Sequence, residues 1–448
     1  MEIVDIRYCP VRKQAIEIPD KMAIKTDSEA ITFAQLDDRV SATCVHFLEK
    51  GLTPNSRLIC ILKNAIGLVI LQLACIRFGV VFCPINPRFS NAETAQRVKK
   101  LDTPFIFSGE ADDLFVGRGL SRKSKLKQIL IPQNQVCSLI FTSGSSGNPK
   151  GVMHCFSQHF YSALGAQSVI PLAIGDRNLL SLPQFHISGY ATVIRTLLAG
   201  ATLVLSEETI SLELIKKEGI THLSLVSTQL YKLLKSPDFQ QSELAIKHLL
   251  LGGSAFDTSL LNQTQARGFT YHLSYGSTEM ASQIATSTNS QEMGVLPYRL
   301  VRISDNEILL KGKTCFVGYF NQANQHQEWF KSKDLGALQN NVLTVQGRKD
   351  RQFICGGENI QPEEIEKALL TFSEINKAVV IAVDDEKYGQ IPVAFLDCAM
   401  SAALKIKIDA SLSYFKRPSR YLILPPQTGL KVSLKTLTFL VKENSELN

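Results

Sequence analysis

The chain has 448 residues, 45% hydrophobic and 20% charged, which is the composition of an ordinary globular protein and excludes a disordered or collagen-like one. That length is too great for one small core and accommodates two or three domains. The formal charge of +7 is a mild excess that suits anionic small molecules, and the densest basic run, Arg122 to Lys127, carries no interleaved aromatic residue and does not read as a nucleic-acid patch.

The ten cysteines show no C-x-x-C pair and no Cys/His cluster at metal spacing, which argues for a reducing compartment and against disulfides or zinc. The opening MEIVDIRYCP has no basic region followed by an apolar run, so no signal peptide is read. The most apolar stretch, residues 65–76, is bounded by Lys63 and Arg77. A membrane span needs roughly 20 apolar residues, so this stretch is expected to be a buried helix and the cytoplasm the location.

In chain order, ITF (31–33) reads as a strand and AQLDDRVSATCVHFLEKG as an amphipathic helix ended by Gly51. RLICIL is a buried strand, AIGLVILQLACIRFG a helix ended by Gly79, and VVFCPI a strand closed near Pro84. KQILI, CSLIFT, NLLSLP, ATLVLS, THLSLVS and HLLLGG continue the alternation, which implies right-handed βαβ crossovers and a mainly parallel sheet. From about residue 294 the elements become shorter strands and turns: EILLKG, CFVGYF, VLTVQG. After GRKD (347–350) comes an α+β tail, with a helix in EEIEKALLTF and strands in AVVIAV and VAFLD. The expected fold is α/β: a large N-terminal domain, 1–349, of mainly parallel sheets with a small β-rich subdomain, and a small mobile α+β domain, 350–448.

One stretch fits neither a core nor a regular element. TSGSSGNPKG (142–151) follows the buried strand CSLIFT and combines hydroxyls and bare backbone with one cation, Lys150. Unobstructed N–H groups and hydroxyls form a concavity for anionic oxygens. Charge-assisted hydrogen bonds of about 1.5–3 kcal/mol each would hold a triphosphate there. It is not a Walker loop, because Pro149 precedes Lys150 and Gly151 follows it.

The pattern instead resembles the phosphate loop of the adenylate-forming superfamily, which includes acyl-CoA synthetases, luciferases and peptide-synthetase adenylation domains. Further resembling motifs follow in order: PQFHISG (183–189), LLLGGSAF (249–256), YGSTEM (275–280), KDLG (333–336), GRKD (347–350), GGENIQPEEIE (356–366) and LKVS (430–433). The resemblance spans residues 30–435.

The resemblance implies roles residue by residue. Thr142, Ser143, Gly144, Ser145, Ser146, Gly147 and Lys150 would wrap the phosphates, and Gly252, Gly253 and Ser254 would approach adenine. Tyr275 would stack on adenine, with Gly276 and Thr278 beside it, while Asp334 and Arg348 would grip the ribose hydroxyls. Glu279, a carboxylate after a tight turn, is suited to Mg²⁺ together with Thr142. His186, Ser188 and Ser277 would line the acyl pocket, Lys431 would reach the reacting centre, and Thr142, Glu279 and Lys431 form the catalytic set. Asp350 would be the hinge, bringing Gly356, Gly357 and Glu358 to a coenzyme A tunnel.

The implied reaction joins a carboxylic acid to coenzyme A through an acyl-adenylate, consuming ATP with Mg²⁺. FHISG followed by Arg195, STEMASQ after Tyr275 and GGENIQPEEIE resemble superfamily members that act on a diacid. Arg195 would then hold the second carboxylate by a bidentate fork. Other aryl or medium-chain acids, or loading of a carrier protein, remain open, and a homodimer is a family-level expectation. Three departures stand out: Ser332-Lys333-Asp334 where the superfamily usually has Thr-Gly-Asp, Leu434 in place of a basic residue, and Gln184 in place of an apolar one.

Overall fold

The computed structural model describes residues 9–443 except 110–130, 133, 143–148, 254, 255, 257, 323–327, 349–352, 361, 376 and 426–433. The basic run 122–127 and all but the last residue of KQILI fall outside the described residues. The chain divides into two compact units, one of residues 1–87, 98–142 and 151–347, the other of residues 88–97, 143–150 and 348–448.

The expected helices form, each with a local start or stop. Thr32 and Gln35 make a reciprocal capping box that starts Phe33–Glu49, so the preceding strand, Ala30–Thr32, stops one residue short of Phe33. Ile66–Phe78 is buried over almost its whole circumference and ends at Gly79 with φ 86°, a left-handed cap that glycine adopts without a Cβ penalty. Among the described residues no helix is long and apolar enough to cross a membrane.

The first unit contains a thirteen-stranded sheet and a six-stranded one. In the large sheet Met22–Lys25, Thr202–Val204, Arg177–Leu179, His222–Leu225, His248–Gly252 and Tyr271–Ser277 run parallel to one another, and Ala30–Thr32 adds antiparallel to Met22–Lys25 at the edge. Beyond Tyr271–Ser277 the direction alternates, through Ser282–Thr286 and Met293–Val295 to Val342–Arg348. The β-rich segment after residue 294 therefore continues the same sheet by antiparallel addition, with Phe330–Gln339, Glu307–Gly312 and Arg299–Ser304 at its edge. In the six-stranded sheet, Val136–Thr142 lies between Val81–Pro84 and Lys150–Cys155, and Gly318–Tyr319 closes the edge beside Lys150–Cys155.

The second unit has its own apolar core around Phe353, Ile360, Ile365, Val380, Leu396 and Ile408. Ala378–Asp385 pairs antiparallel with Gly389–Leu396 over eight residues, and Arg420–Ile423 adds to the latter in parallel. Leu437 and Val441 of the helix Leu434–Glu443 pack on Ile381, Val393 and Phe395. Cys355–Glu358 is a two-residue hairpin whose central Gly356 and Gly357 have φ 57° and 86°, the type I′ geometry that glycine meets most cheaply. Lys416, buried in this unit, sits 2.7 Å from both Glu93 and Glu364. Burial pushes the Glu93 carboxyl up, but the Lys416 ammonium and hydrogen bonds from Ser413 and Ser90 outweigh it and hold the group below the usual range.

Candidate active site

Two of the sequence motifs, LLLGGSAF and YGSTEM, lie where parallel strands end. Gly252 closes His248–Gly252 and is in register with Ser274, and a Cβ on Gly252 would lie 3.4 Å from the Ser274 carbonyl. Gly253 has φ 89° and turns the chain past Val226. The carboxyl ends of strands in an open α/β sheet are where such folds bind ligands.

The next strand carries the Tyr275–Glu279 segment. Its pairing with Ser282–Thr286 shifts register between Tyr275 and Gly276. A Cβ on Gly276 would meet the Ser282 carbonyl oxygen at 2.2 Å, so no other residue fits this close crossing. Thr278–Met280 then makes a single 3₁₀ turn, and the chain leaves it through Ala281 and Ser282 at φ 52° and 108°. Such strained non-glycine residues concentrate at sites the surrounding structure over-determines. The Ser277 hydroxyl is buried and finds no hydrogen-bond partner among the described residues.

Two carboxylates are fixed by phenols. Tyr275 donates its hydroxyl to Asp334 Oδ2 at 2.6 Å, and Asp334 is 7% exposed. The Asp334 N–H donates to the Ser332 hydroxyl, and the Lys333 N–H to Glu307. Lys333 has φ 64°, so the lysine occupies a left-handed position where the superfamily usually carries glycine. Tyr319 donates to Glu279 Oε1 at 2.9 Å, and the Phe316 N–H donates to the Glu279 carbonyl at 2.8 Å.

The acyl-pocket candidates lie on and before the helix Ile187–Leu198. His186 is its N-cap residue, and the Ser188 carbonyl accepts from the Thr192 hydroxyl. Gln184, the polar departure, is fully buried and donates through Nε2 to Gln72 Oε1 at 2.8 Å, while Gln72 donates to the Tyr190 carbonyl. A polar pair thus replaces apolar packing there. Arg195 lies on the same helix and lines a small cavity with Ser162, Ala163, Ala166, Ala191, Ser282 and Gln283. Its Nη2 donates to Thr192 Oγ1 and to Ser224 Oγ, each at 2.8 Å. Both partners are neutral, and among the described residues no carboxylate pairs with it. Burial pushes its guanidinium down to about 10.

Several expected residues are placed only in part. Thr142 ends Val136–Thr142, and Lys150 begins Lys150–Cys155. Arg348 ends Val342–Arg348, but only its backbone is described. Ser143, Gly144, Ser145, Ser146, Gly147, Ser254, Asp350 and Lys431 lie outside the described residues, as does the 430–433 motif as a whole. Glu358 is buried and forms an ion pair with Arg88 within the second unit.

Two features escaped the sequence reading. Tyr319 lies in CFVGYF, which reads only as a strand, and nothing local ties it to Glu279. The cavity wall Ser162, Ala163 and Ala166 follows helical spacing on Phe156–Gln167, a small-residue face that could have been noticed.

Among the described residues no three His, Cys, Asp or Glu side chains are grouped to hold a metal ion. Mg²⁺ does not require such a cage: it keeps waters and takes one or two carboxylates plus substrate phosphates. Glu279 fits that use, because Tyr319 occupies Oε1 and no described donor reaches Oε2.

Strand-end turns built around glycine, a fixed Tyr–Asp pair and an acidic turn beside the strand that follows the hydroxyl-rich loop define a nucleotide-dependent acid-activating enzyme. The chain belongs to the AMP-binding enzyme family: it matches that family over residues 11–320 and the AMP-binding enzyme C-terminal domain over 364–430. It is 32% identical to the 2-succinylbenzoate–CoA ligase of Haemophilus influenzae, over 96% of this chain and 98% of that one. Among solved structures it is similar to a double mutant of o-succinylbenzoate CoA synthetase (MenE) from Bacillus subtilis bound with its product analogue OSB-NCoA. The TM-score is 0.87 at 27% identity, over 96% of this chain and 98% of that one. The same Bacillus subtilis enzyme in complex with ATP and magnesium ion matches with a TM-score of 0.71 at 26% identity, over 93% of this chain and 96% of that one.

Proposed function

We propose that this chain is an ATP-dependent, AMP-forming 2-succinylbenzoate–CoA ligase of menaquinone biosynthesis, working in the cytoplasm and expected to assemble as a homodimer. The observation that carries the substrate is Arg195: a half-buried guanidinium whose partners among the described residues are neutral hydroxyls, lining a small cavity beside the Tyr275–Glu279 segment. A diacid would supply the missing anion with its second carboxylate, while its first is activated.

A free carboxylate is a poor acyl donor because oxide would have to leave. In the first half-reaction the substrate carboxylate attacks the α-phosphorus of ATP and pyrophosphate departs. Thr142, the 143–147 loop and Lys150 would hold the phosphates, Asp334 and Arg348 the ribose, and Tyr275 with Gly252–Ser254 the adenine. Lys431 would neutralise charge developing at the α-phosphate. Mg²⁺, held by Glu279 with Thr142, would supply Lewis-acid neutralisation of the phosphate oxygens. In the second half-reaction the coenzyme A thiol attacks the acyl carbon and AMP leaves. Residues 350–448 would turn about Asp350, withdrawing Lys431 and presenting Gly356, Gly357 and Glu358 along a thiol path.

The deciding experiment is exchange of labelled pyrophosphate into ATP with a panel of acids, followed by AMP release with and without coenzyme A. We expect 2-succinylbenzoate to support the fastest exchange and coenzyme A to complete turnover. Faster exchange with another aryl or medium-chain acid would reassign the substrate. Exchange without coenzyme A-dependent turnover would favour a carrier protein as acceptor.

A further inference from the structure

The edge strand of the six-stranded sheet, Gly318–Tyr319, also holds the Glu279 turn. Gly318–Tyr319 pairs antiparallel with Lys150–Cys155, the strand that leaves the phosphate loop, in the register Gly318↔Met153 and Tyr319↔Val152. Flanking bonds extend the pairing: the Val317 N–H donates to the Met153 carbonyl at 2.9 Å and the Phe320 N–H to the Gly151 carbonyl at 2.7 Å. Gly151 is confined as well, since a Cβ there would lie 2.7 Å from Leu139 Cδ2 and 3.2 Å from Phe320 Cβ. The same short segment holds the Glu279 turn at two points, through the Phe316 N–H on its carbonyl and the Tyr319 hydroxyl on its carboxylate. The Tyr319 ring is itself braced edge-on by Phe316, with centroids 4.9 Å apart, and Phe316 in turn by Phe330 at 5.1 Å.

We infer that Tyr319 is a positioning residue that aims the Glu279 carboxylate at the metal of the bound nucleotide. This rests on the reading of Glu279 as a Mg²⁺ ligand. A glutamate side chain has three rotatable bonds, and ligation by one oxygen requires that freedom to be removed beforehand. The phenol does this by occupying Oε1, which leaves Oε2 as the oxygen for the cation. The signal is not local in sequence: Glu279 and Tyr319 are 40 residues apart.

The test uses the full-length protein with ATP and Mn²⁺ as a spectroscopically visible stand-in for Mg²⁺. Mn²⁺ affinity is read by electron paramagnetic resonance in wild type, Tyr319→Phe and Glu279→Gln, with thermal melting of each. Tyr319→Phe keeps the ring against Phe316 and removes only the hydroxyl. We expect it to weaken Mn²⁺ binding in the ATP complex by about 3–10-fold, with ATP binding in the absence of metal and the melting temperature unchanged. Glu279→Gln should weaken it further. If Glu279→Gln binds Mn²⁺ less tightly but Tyr319→Phe matches wild type, the inference is overturned and the role of Glu279 stands. If neither variant differs from wild type, Glu279 is not the ligand and both readings fall. A Tyr319→Phe protein with lowered melting temperature and equal losses of metal-free ATP binding and metal affinity would assign the phenol to packing alone, which also overturns the inference.

Discussion

At one end of the neighbouring parallel strands His222–Leu225, His248–Gly252 and Tyr271–Ser277, three histidines stack ring on ring. His222, His248 and His272 follow one another with centroids 5.0 Å apart at each step. His248 Nδ1 lies 2.9 Å from His272 Nε2, His272 Nδ1 lies 3.0 Å from the Thr288 hydroxyl, and His222 donates to the Pro171 carbonyl. Beside them Lys247 pairs with Asp176 at 2.7 Å. At the other end of the same strands the polar groups have capacity left over: among the described residues the buried Ser277 hydroxyl has no partner, Arg195 bonds only hydroxyls, and one Glu279 oxygen is unbonded. His222 and His272 are buried, while Ser277, Arg195 and Glu279 are half-buried, so depth of burial does not single out the second end. At the histidine end the rings and the Lys247–Asp176 pair bond to one another, with Asn178 Oδ1 beside His222 as an exception, whereas at the other end a cation and a carboxylate keep bonding capacity among the described residues.

The sharpest way to break the contrast is to remove the waiting cation. Arg195→Met should lower kcat/KM for 2-succinylbenzoate by about 10–100-fold, mostly through KM, because a charged hydrogen-bonded pair in the complex is lost. Melting should be unchanged or raised, since no carboxylate in the free protein is orphaned. A variant with wild-type KM would return Arg195 to a purely structural role. Next in size is Gly276→Ala, which forces a methyl against the Ser282 carbonyl at 2.2 Å. A loss of about 1–3 kcal/mol in urea unfolding is expected from such overpacking; an unperturbed midpoint would mean the crossing relaxes freely.

The smallest effect belongs to the closed end. Burial, followed by the neighbouring His248 charge, pushes His272 down to about 4. For His222, burial pushes down to about 4 against the raising effect of Asp176. An unfolded histidine titrates near 6.5, roughly, so between the two values the unfolded chain binds protons that the folded chain refuses. The stability these rings contribute is therefore complete above pH 6.5 or so and declines as pH falls toward 4. A drop of about 1 kcal/mol per histidine between pH 7 and 5 is expected in urea midpoints, after allowance for partial exposure. His272→Gln should flatten that slope, and an unaltered slope would show the stack to be electrostatically silent.

Much of this organisation was written locally. Capping at Thr32, the glycine stop at Gly79, the buried helix of residues 66–78 and the succession of strand-end motifs depend on neighbours within a few residues, and all can be read from the chain. So can the identity of the carboxylates Glu279 and Asp334 as site residues in expectation. What could not be read depends on distant pairings. Nothing in Met22–Lys25 announces Thr202–Val204 as its neighbour, nor that the β-rich segment would extend the large sheet. The phenol on each carboxylate is equally silent, since Tyr275 and Asp334 are 59 residues apart. Gln184 looked anomalous only because its partner, Gln72, lies 112 residues upstream.

Eight of the ten cysteines are buried, and burial pushes several thiols, Cys44 and Cys137 among them up to about 12, far from the nucleophilic thiolate. They are spread through the first unit, from Cys9 to Cys155, with Cys355 in the core of the second. An alkylating reagent will therefore modify these sites only when the surrounding core parts. Mass spectrometry of the labelling order would then resolve which part of the polypeptide breathes first, with no residue of the protein changed.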